Sequence, residues 1–573
     1  MKKKIVIKSF FIVALAAVSV VVFNGFTNFN NKAPEDNVKD FLEGYEVQMQ
    51  KLEKANNLAY FNASISGKEE DYEKLEVAKI ALNNFYANKE NFNEISSYKK
   101  SGEVADEILK RQLDVIYNKC LQRQVAPLML KELVSLENQI EKSFSTFRPD
   151  INDKKVSDNQ IEKILKTSTN SEELEEAWKA SKDIGDYVAS DLLKLVILRN
   201  KIAVNLGYEN YFKMQLSLNE QDPIEIERIF HNLNESTNEI YINLKEEIDV
   251  FLEKRNNIPK EDIMPWHYQN RFFQEAPDIY KVNLDKYYTK KDLVKITSKY
   301  YTSIGLNITD IIKNSDLFEK PAKNQHAYCI NIDREGDVRV LCNLKSNYNW
   351  MNTILHEFGH AVYEKNINKE LPYSLREPAH AFTTEAVAMM FGRMAADPKW
   401  MKNIVGISDV EIKKIASNLE KKLRLEQIVF CRWSMVMYWF EKAMYENPEQ
   451  DLNELWWQLV EEYQMIKRPL DRNAPDWATK IHIATFPCYY HNYMLGEIYA
   501  SQLYNAINRE IYEDENSVKK VFANNEKIGM FLIEKVFAHG KKLDWENLVR
   551  ESTGEELNPE YFIEQFINSN TDQ

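Results

Sequence analysis

Glycine and proline are scarce in this chain. Its 573 residues include 15 glycines and 16 prolines, about 5% together where roughly 12% is usual. So few turn formers cannot furnish a large β-sandwich or propeller, and they argue against a glycine-loop nucleotide-binding fold. Cysteine is also sparse. Cys120, Cys329, Cys342, Cys431 and Cys488 are too few and too scattered for a disulfide scaffold. The absence of any cysteine before Cys120 excludes a lipid-modified N-terminal cysteine. Beyond residue 30 no stretch is apolar enough to span a bilayer. Positive charge is in deficit, 74 Lys and Arg against 88 Asp and Glu for a net −14, which argues against nucleic acid as a partner.

What is present fits a large helical protein. Hydrophobic residues make up 44% and charged residues 28%, a normal globular balance. The length exceeds the ~250–300 residues at which one core stops growing, so two lobes are expected. No Pro/Ser/Gly-rich linker divides residues 31–573, which are read as one unit. Residues 1–30 read as an export signal: Lys2, Lys3, Lys4 and Lys8 precede an apolar run from Phe10 to Phe23, short for a membrane span. No small-x-small cleavage site follows, so an uncleaved anchor is the alternative, and membrane contact is expected only in that case. The mature chain is expected outside the cytoplasm.

From Asn37 to about Asn256 apolar residues recur at three- and four-residue spacings, as at Trp178, Ile184, Val188, Leu192, Leu195, Ile202 and Leu206. This predicts an all-α fold, with breaks at Gly67, Gly102, Arg148-Pro149-Asp150 and Gly207. Pro259 to Asn343 is less regular. It contains two alternating runs, Ala327–Ile332 and Val338–Leu344, around Arg334-Glu335-Gly336-Asp337, and so predicts a small β-hairpin near residues 326–344. With Glu335-Gly336 as a two-residue loop, 334 pairs with 337 and Cys329 faces Cys342. A bridge between them and two buried free thiols are both compatible with that pairing. Helices resume at Tyr348.

His356-Glu357-Phe358-Gly359-His360 is an HExxH motif. Met351, Ile354, Leu355, Phe358 and Val362 place it on a helix, where positions four apart lie about 40° apart around the axis. Two imidazoles so placed can bind one Zn²⁺, with Glu357 beside the remaining position to take a proton from water. Chance alone gives such a pentapeptide about once per hundred chains of this kind, so a third ligand matters. Glu385, heading an otherwise apolar helix that Thr383 or Thr384 would cap, has the strongest case, since a buried carboxylate there needs a partner. Glu364, Glu377 and His380 are rivals. Six of the nine histidines (326, 356, 360, 380, 482, 491) fall in one 166-residue span, which favours a shared site.

With Phe382-Thr383-Thr384-Glu385-Ala386 behind the HExxH helix, the sequence resembles the angiotensin-converting enzyme (peptidyl-dipeptidase A) family. Further matches are His326-Ala327, Leu455–Gln464, Lys480-Ile481-His482, Tyr490 to Tyr493, Leu198-Arg199-Asn200 and Leu206-Gly207-Tyr208. The resemblance implies two helical lobes around a deep cleft, which would confine substrates to short peptides. It implies one Zn²⁺ per chain on His356, His360 and Glu385, with Glu357 as general base and then acid. It places His482 and Tyr493 as oxyanion donors, His326 and Ala327 on the substrate backbone, and Lys480 and Tyr490 on a free C-terminal carboxylate. Such a clamp would set cleavage two residues from the C-terminus.

The chain also departs from that pattern. Phe358-Gly359-His360 and Tyr489-Tyr490 are similar to the thimet oligopeptidase and oligoendopeptidase family as well. Met389 stands where the first family has an aspartate that braces a zinc histidine, making Glu364 a candidate brace. Asn492 replaces an arginine tied to chloride activation, which makes chloride a doubtful cofactor. Gln269 is the candidate for the clamp's glutamine. The alternatives to a peptidyl-dipeptidase are an oligoendopeptidase and a non-catalytic peptide-binding ectodomain. The last is weakened because Glu357 is kept.

Overall fold

The computed structural model describes residues 34–512 and 521–567; the export segment read at residues 1–30 lies outside them. The protein is predominantly helical. Helix α1 (Pro34–Ser66) carries Glu35 and Asp36 in its first turn, where they complement the helix dipole. It stops at Gly67, which has φ +62° and lies so close to the Ala322 carbonyl that no Cβ would fit. Helix α2 (Glu107–Leu121) is capped by Asp106. The break at residues 148–150 leads into a minimal hairpin, β1 (Asp150–Ile151) with β2 (Lys154–Lys155). Helices α3 (Ile184–Asn205) and α4 (Pro223–Asn256) follow, and the break at Gly207 falls as expected.

The irregular stretch ends in an antiparallel pair, β3 (Tyr328–Asn331) with β4 (Val338–Leu341). The hairpin is there, but its register differs from the sequence-based expectation by two residues. Asn331 pairs with Val338 and Cys329 pairs with Val340. The connection is six residues long because side chains organise it. Asp333 accepts from the amides of Glu335 and Asp337, Asn331 accepts from the Arg334 amide, and Arg334 and Gly336 take positive φ. Such Asx turns compete with a tight two-residue loop. A slip of two keeps every side chain on its expected face, yet it moves Cys342 past the end of the ladder. All five cysteines are free thiols.

Helices α5 (Tyr348–Lys365), α6 (Ala381–Arg393), α7 (Asp409–Glu446), α8 (Leu452–Gln464), the single turn α9 (His482–Thr485) and α10 (His491–Tyr512) build the second half. One hydrophobic cluster runs from Val115 to Phe566, and a smaller one lies between α1 and α2 around Val38, Leu42, Met49, Leu113 and Ile116. Met351, Ile354, Leu355, Phe358 and Val362 of α5 are all fully buried in the larger core, each contributing roughly 1.5–3 kcal/mol. That burial fixes the rotation of α5 and therefore where its histidines point. No helix among the described residues is long and apolar enough to cross a membrane.

Candidate active site

Helix α5 starts where Asn347 caps the amide of Trp350, and it packs along α6. The close approach depends on Gly359: a Cβ there would sit 2.8 Å from the Ala388 Cα. On the other side, Gly496 of α10 lets that helix approach Glu385, with only 3.4 Å between an added Cβ and the Glu385 Cβ. The cap of α6 is His380, not Thr383 or Thr384. Its Nδ1 accepts from the Phe382 amide while Thr383 returns a bond to the His380 amide. An imidazole nitrogen can cap as a hydroxyl does, which moves the helix start forward and sets Glu385 in the second turn.

This packing brings His356, His360 and Glu385 together, their ligand atoms all within 4.8 Å of one another. The two Nε2 atoms are 3.2 Å apart and lie 3.6 and 3.8 Å from Glu385 Oε2. Two nitrogens on one tetrahedral zinc at ~2.0–2.1 Å would be about 3.3 Å apart, so the donor set fits a divalent cation. Burial lowers the pKa of His356 to about 4 and raises that of Glu385 to about 7. His360 is also held neutral, by burial and by His356. Glu357 is pushed up to about 8 by burial and by the charge of Glu385, against a hydrogen bond from the Cys329 amide of β3. A group so desolvated is short of positive charge, which a cation would supply.

Thr384 braces His360, its hydroxyl lying 2.8 Å from His360 Nδ1. Glu364 does not. Its carboxylate accepts from Asn331 Nδ2 at 3.0 Å instead. The other rivals are also committed elsewhere. Glu377 pairs with Lys119 at 2.9 Å, Lys541 at 3.0 Å and Arg334, which in turn holds Glu53 of α1 at 2.6 Å. His491 bonds Gln221, and Gln221 bonds Asn492, so the residue in the arginine's place sits in a buried neutral network. Of the six clustered histidines, His380 and His491 are structural.

A second polar group is centred on Lys480. Lys480 is buried, donates to Gln274 Oε1 at 2.5 Å and faces the rings of Phe272, Trp433 and Tyr490. Burial draws its pKa down to about 8. Tyr490 accepts from Trp433 Nε1 at 2.7 Å. The glutamine at this position is Gln274, not Gln269, which donates to the Lys166 carbonyl and accepts from the Asp278 amide. Gln464, from the Leu455–Gln464 motif, holds the Phe272 and Phe273 carbonyls and so fixes the segment that leads into Gln274.

Aromatic rings join the two groups. Tyr493, raised by burial and by Glu385, packs 5.4 Å from Tyr490, and Tyr490 lies 5.4 Å from His482. Burial and Lys480 hold His482 neutral, at about 4, and its buried Nδ1 has no partner. Tyr489 also packs on Tyr493 and feels Glu385. A cavity of 190 Å³ beside His356 shares Tyr348, Lys422, Glu426 and Gln427 with one of 810 Å³ that reaches Gln274. His326 is exposed and Ala327 half-buried, immediately before β3. That strand packs on α5 and bonds Glu357.

Sequence reasoning missed Gln274, Thr384 and Trp433. Neither periodicity nor spacing signals a residue whose importance comes only from what folds opposite it.

Comparison with known proteins agrees with this geometry. The family model described as angiotensin-converting enzyme matches residues 32–567. Carboxypeptidase 1 of Bacillus subtilis is 28% identical over 265 residues, 42% of this chain, and the chain spans about half of that relative (52%). Thermostable carboxypeptidase 1 of Pyrococcus furiosus is 22% identical over 423 residues, covering 68% of this chain and 75% of the relative.

Proposed function

Because the chain belongs to the angiotensin-converting enzyme family and is a peptidase, we propose that it is an exported, zinc-dependent peptidyl-dipeptidase acting on short peptides. The observation that carries the reading is the pairing of a His₂Glu group with a buried lysine. His356, His360 and Glu385 form one group, and Lys480 with Gln274 forms another beyond Tyr490 and Tyr493. Two imidazoles and one carboxylate favour zinc over hard cations. His356, His360 and Glu385 would hold a zinc ion there, and it would supply water activation and polarisation of the scissile carbonyl.

The protein's own residues do the rest. Glu357 takes the proton of the attacking water and delivers it to the leaving amine, with the Cys329 amide orienting its carboxylate. Tyr493 and His482 donate to the oxyanion that develops on the carbonyl, each such donor worth roughly 10²–10³ in rate. Lys480, Tyr490 and Gln274 bind the substrate's terminal carboxylate, and the His326-Ala327 end of β3 pairs with its backbone. Export rests on the lysine-rich start and the apolar run from Phe10 to Phe23.

The test offers one decapeptide as free acid and as C-terminal amide, with a chelated sample and Glu357→Gln as controls, and reads products by mass spectrometry. Successive loss of dipeptides from the acid alone is expected, with Glu357→Gln slower by about 10²–10⁴-fold. Loss of single residues would favour a carboxypeptidase, the activity in the relatives' names. Equal internal cleavage of acid and amide would make the protein an oligoendopeptidase.

A further inference from the structure

The segment from Lys480 to Tyr493 carries four of the residues just assigned, yet it contains little regular structure. Helix α9 is one turn of four residues. A helix that short leaves all but its first carbonyl without an intrahelical partner, and here two of these belong to buried residues: Ile483 and Ala484 are 0% and 1% exposed. The missing donor comes from α3. Arg199, itself 1% exposed, donates through Nη1 to the Ile483 carbonyl at 3.2 Å and through Nη2 to the Ala484 carbonyl at 2.6 Å. The same guanidinium reaches Tyr445 Oη at 3.3 Å and Glu137 at 2.8 Å. Its neighbour Asn200 ties the Tyr445 carbonyl to the Tyr211 amide. The Leu198-Arg199-Asn200 motif therefore has a physical target, which is the backbone next to His482.

The far end of the segment is held in the same way. Cys488 has φ +57°, outside the usual range for a residue with a Cβ. Its amide donates to the carboxyl of Glu441, 2% exposed on α7, at 2.9 Å. Tyr489 and Tyr490 follow at once.

We infer that Arg199 and Glu441 are positioning residues for the hydrolytic reaction: from behind, Arg199 fixes the backbone that aims His482, and Glu441 fixes the backbone that leads into Tyr490 and Tyr493. The inference rests on the oxyanion role given above to His482. Neither residue touches substrate, so their effect must pass through the groups they hold.

That dependence makes the inference testable by a double-mutant cycle. Full-length wild type, R199Q, H482Q and R199Q/H482Q are compared for kcat and KM on a free-acid peptide, with zinc content and melting temperature recorded. R199Q is expected to lower kcat about 10-fold or more, since small displacements of a reacting group are costly, with KM and zinc content within about 2-fold. The double variant should then be no slower than H482Q alone. Effects that multiply, or an R199Q effect on KM alone, would overturn the inference while leaving the role of His482 intact. An H482Q enzyme with wild-type kcat would instead remove the oxyanion reading, and this inference with it. Should R199Q fail to fold, Glu441 decides. E441Q keeps an acceptor for the Cys488 amide and should retain kcat, whereas E441L should lose about 10-fold; equal rates for the two would refute the positioning role.

Discussion

Replacing Lys480 with methionine separates a carboxylate clamp from a lysine that merely fills space. The side chain is buried, its one hydrogen-bond acceptor is Gln274, and the rings of Phe272, Trp433 and Tyr490 surround its ammonium group. A methionine side chain keeps most of the volume and removes the charge. A charge-assisted hydrogen bond to a carboxylate contributes roughly 1.5–3 kcal/mol, and each 1.4 kcal/mol is about tenfold in affinity. KM for a free-acid peptide should therefore rise about 10- to 150-fold. KM for the matching amide should move by less than about 2-fold, because the amide carries no charge to lose. Burial already disfavours the charged lysine, so K480M is expected to melt no lower than wild type. The assay is initial-rate analysis of both peptides by chromatography, with melting curves alongside. An equal rise for acid and amide, or no rise for either, would refute the clamp.

The same lysine gives a pH signature. Its pKa of about 8 reflects burial opposed by Glu275, with His482 and Lys182 as the other titratable groups that sense it. Below pH 8 it is charged and above pH 8 it is not, so KM for free acids should climb above that point while KM for amides stays flat. Thr384→Val removes the hydroxyl beside His360 Nδ1 and should weaken zinc binding about 10- to 100-fold, read by competition with a chelator. Gly359→Ala places a methyl 2.8 Å from the Ala388 Cα. It should destabilise the protein by about 1–3 kcal/mol in denaturant unfolding and loosen zinc as α5 and α6 separate.

The grouping of His356, His360 and Glu385 was legible in the sequence because both of its signals are local. HExxH has a fixed helical spacing, and Glu385 is a lone carboxylate in apolar company. The helix breaks at Gly67, Gly102 and Gly207 were legible for the same reason, since each takes positive φ at a helix end. The hairpin was legible as a hairpin but not in register, which Asn331 and Asp333 set through side-chain bonds that alternation does not encode. That Gln274 is the glutamine bonded to Lys480 was not legible, because the backbone turns twice through positive φ, at Gln269 and Phe273, before Gln274 reaches Lys480. The brace on His360 depends on how α6 lies against α5, and Glu364, one turn along the same helix, faces β3 instead.

The charge network around Glu377 bears on the order in which the protein can be finished. Three cations meet that one half-buried carboxylate: Lys119 from the first part of the described chain, Arg334 from the hairpin turn and Lys541 from near its end. During synthesis α5 and α6 leave the ribosome long before Lys541 does. Until then Glu377, eight residues ahead of Glu385, lacks one of the three charges that hold it in place. A nascent chain therefore carries His356, His360 and Glu385 while their setting is incomplete. The setting of His356, His360 and Glu385 is therefore completed only after Lys541 has been made.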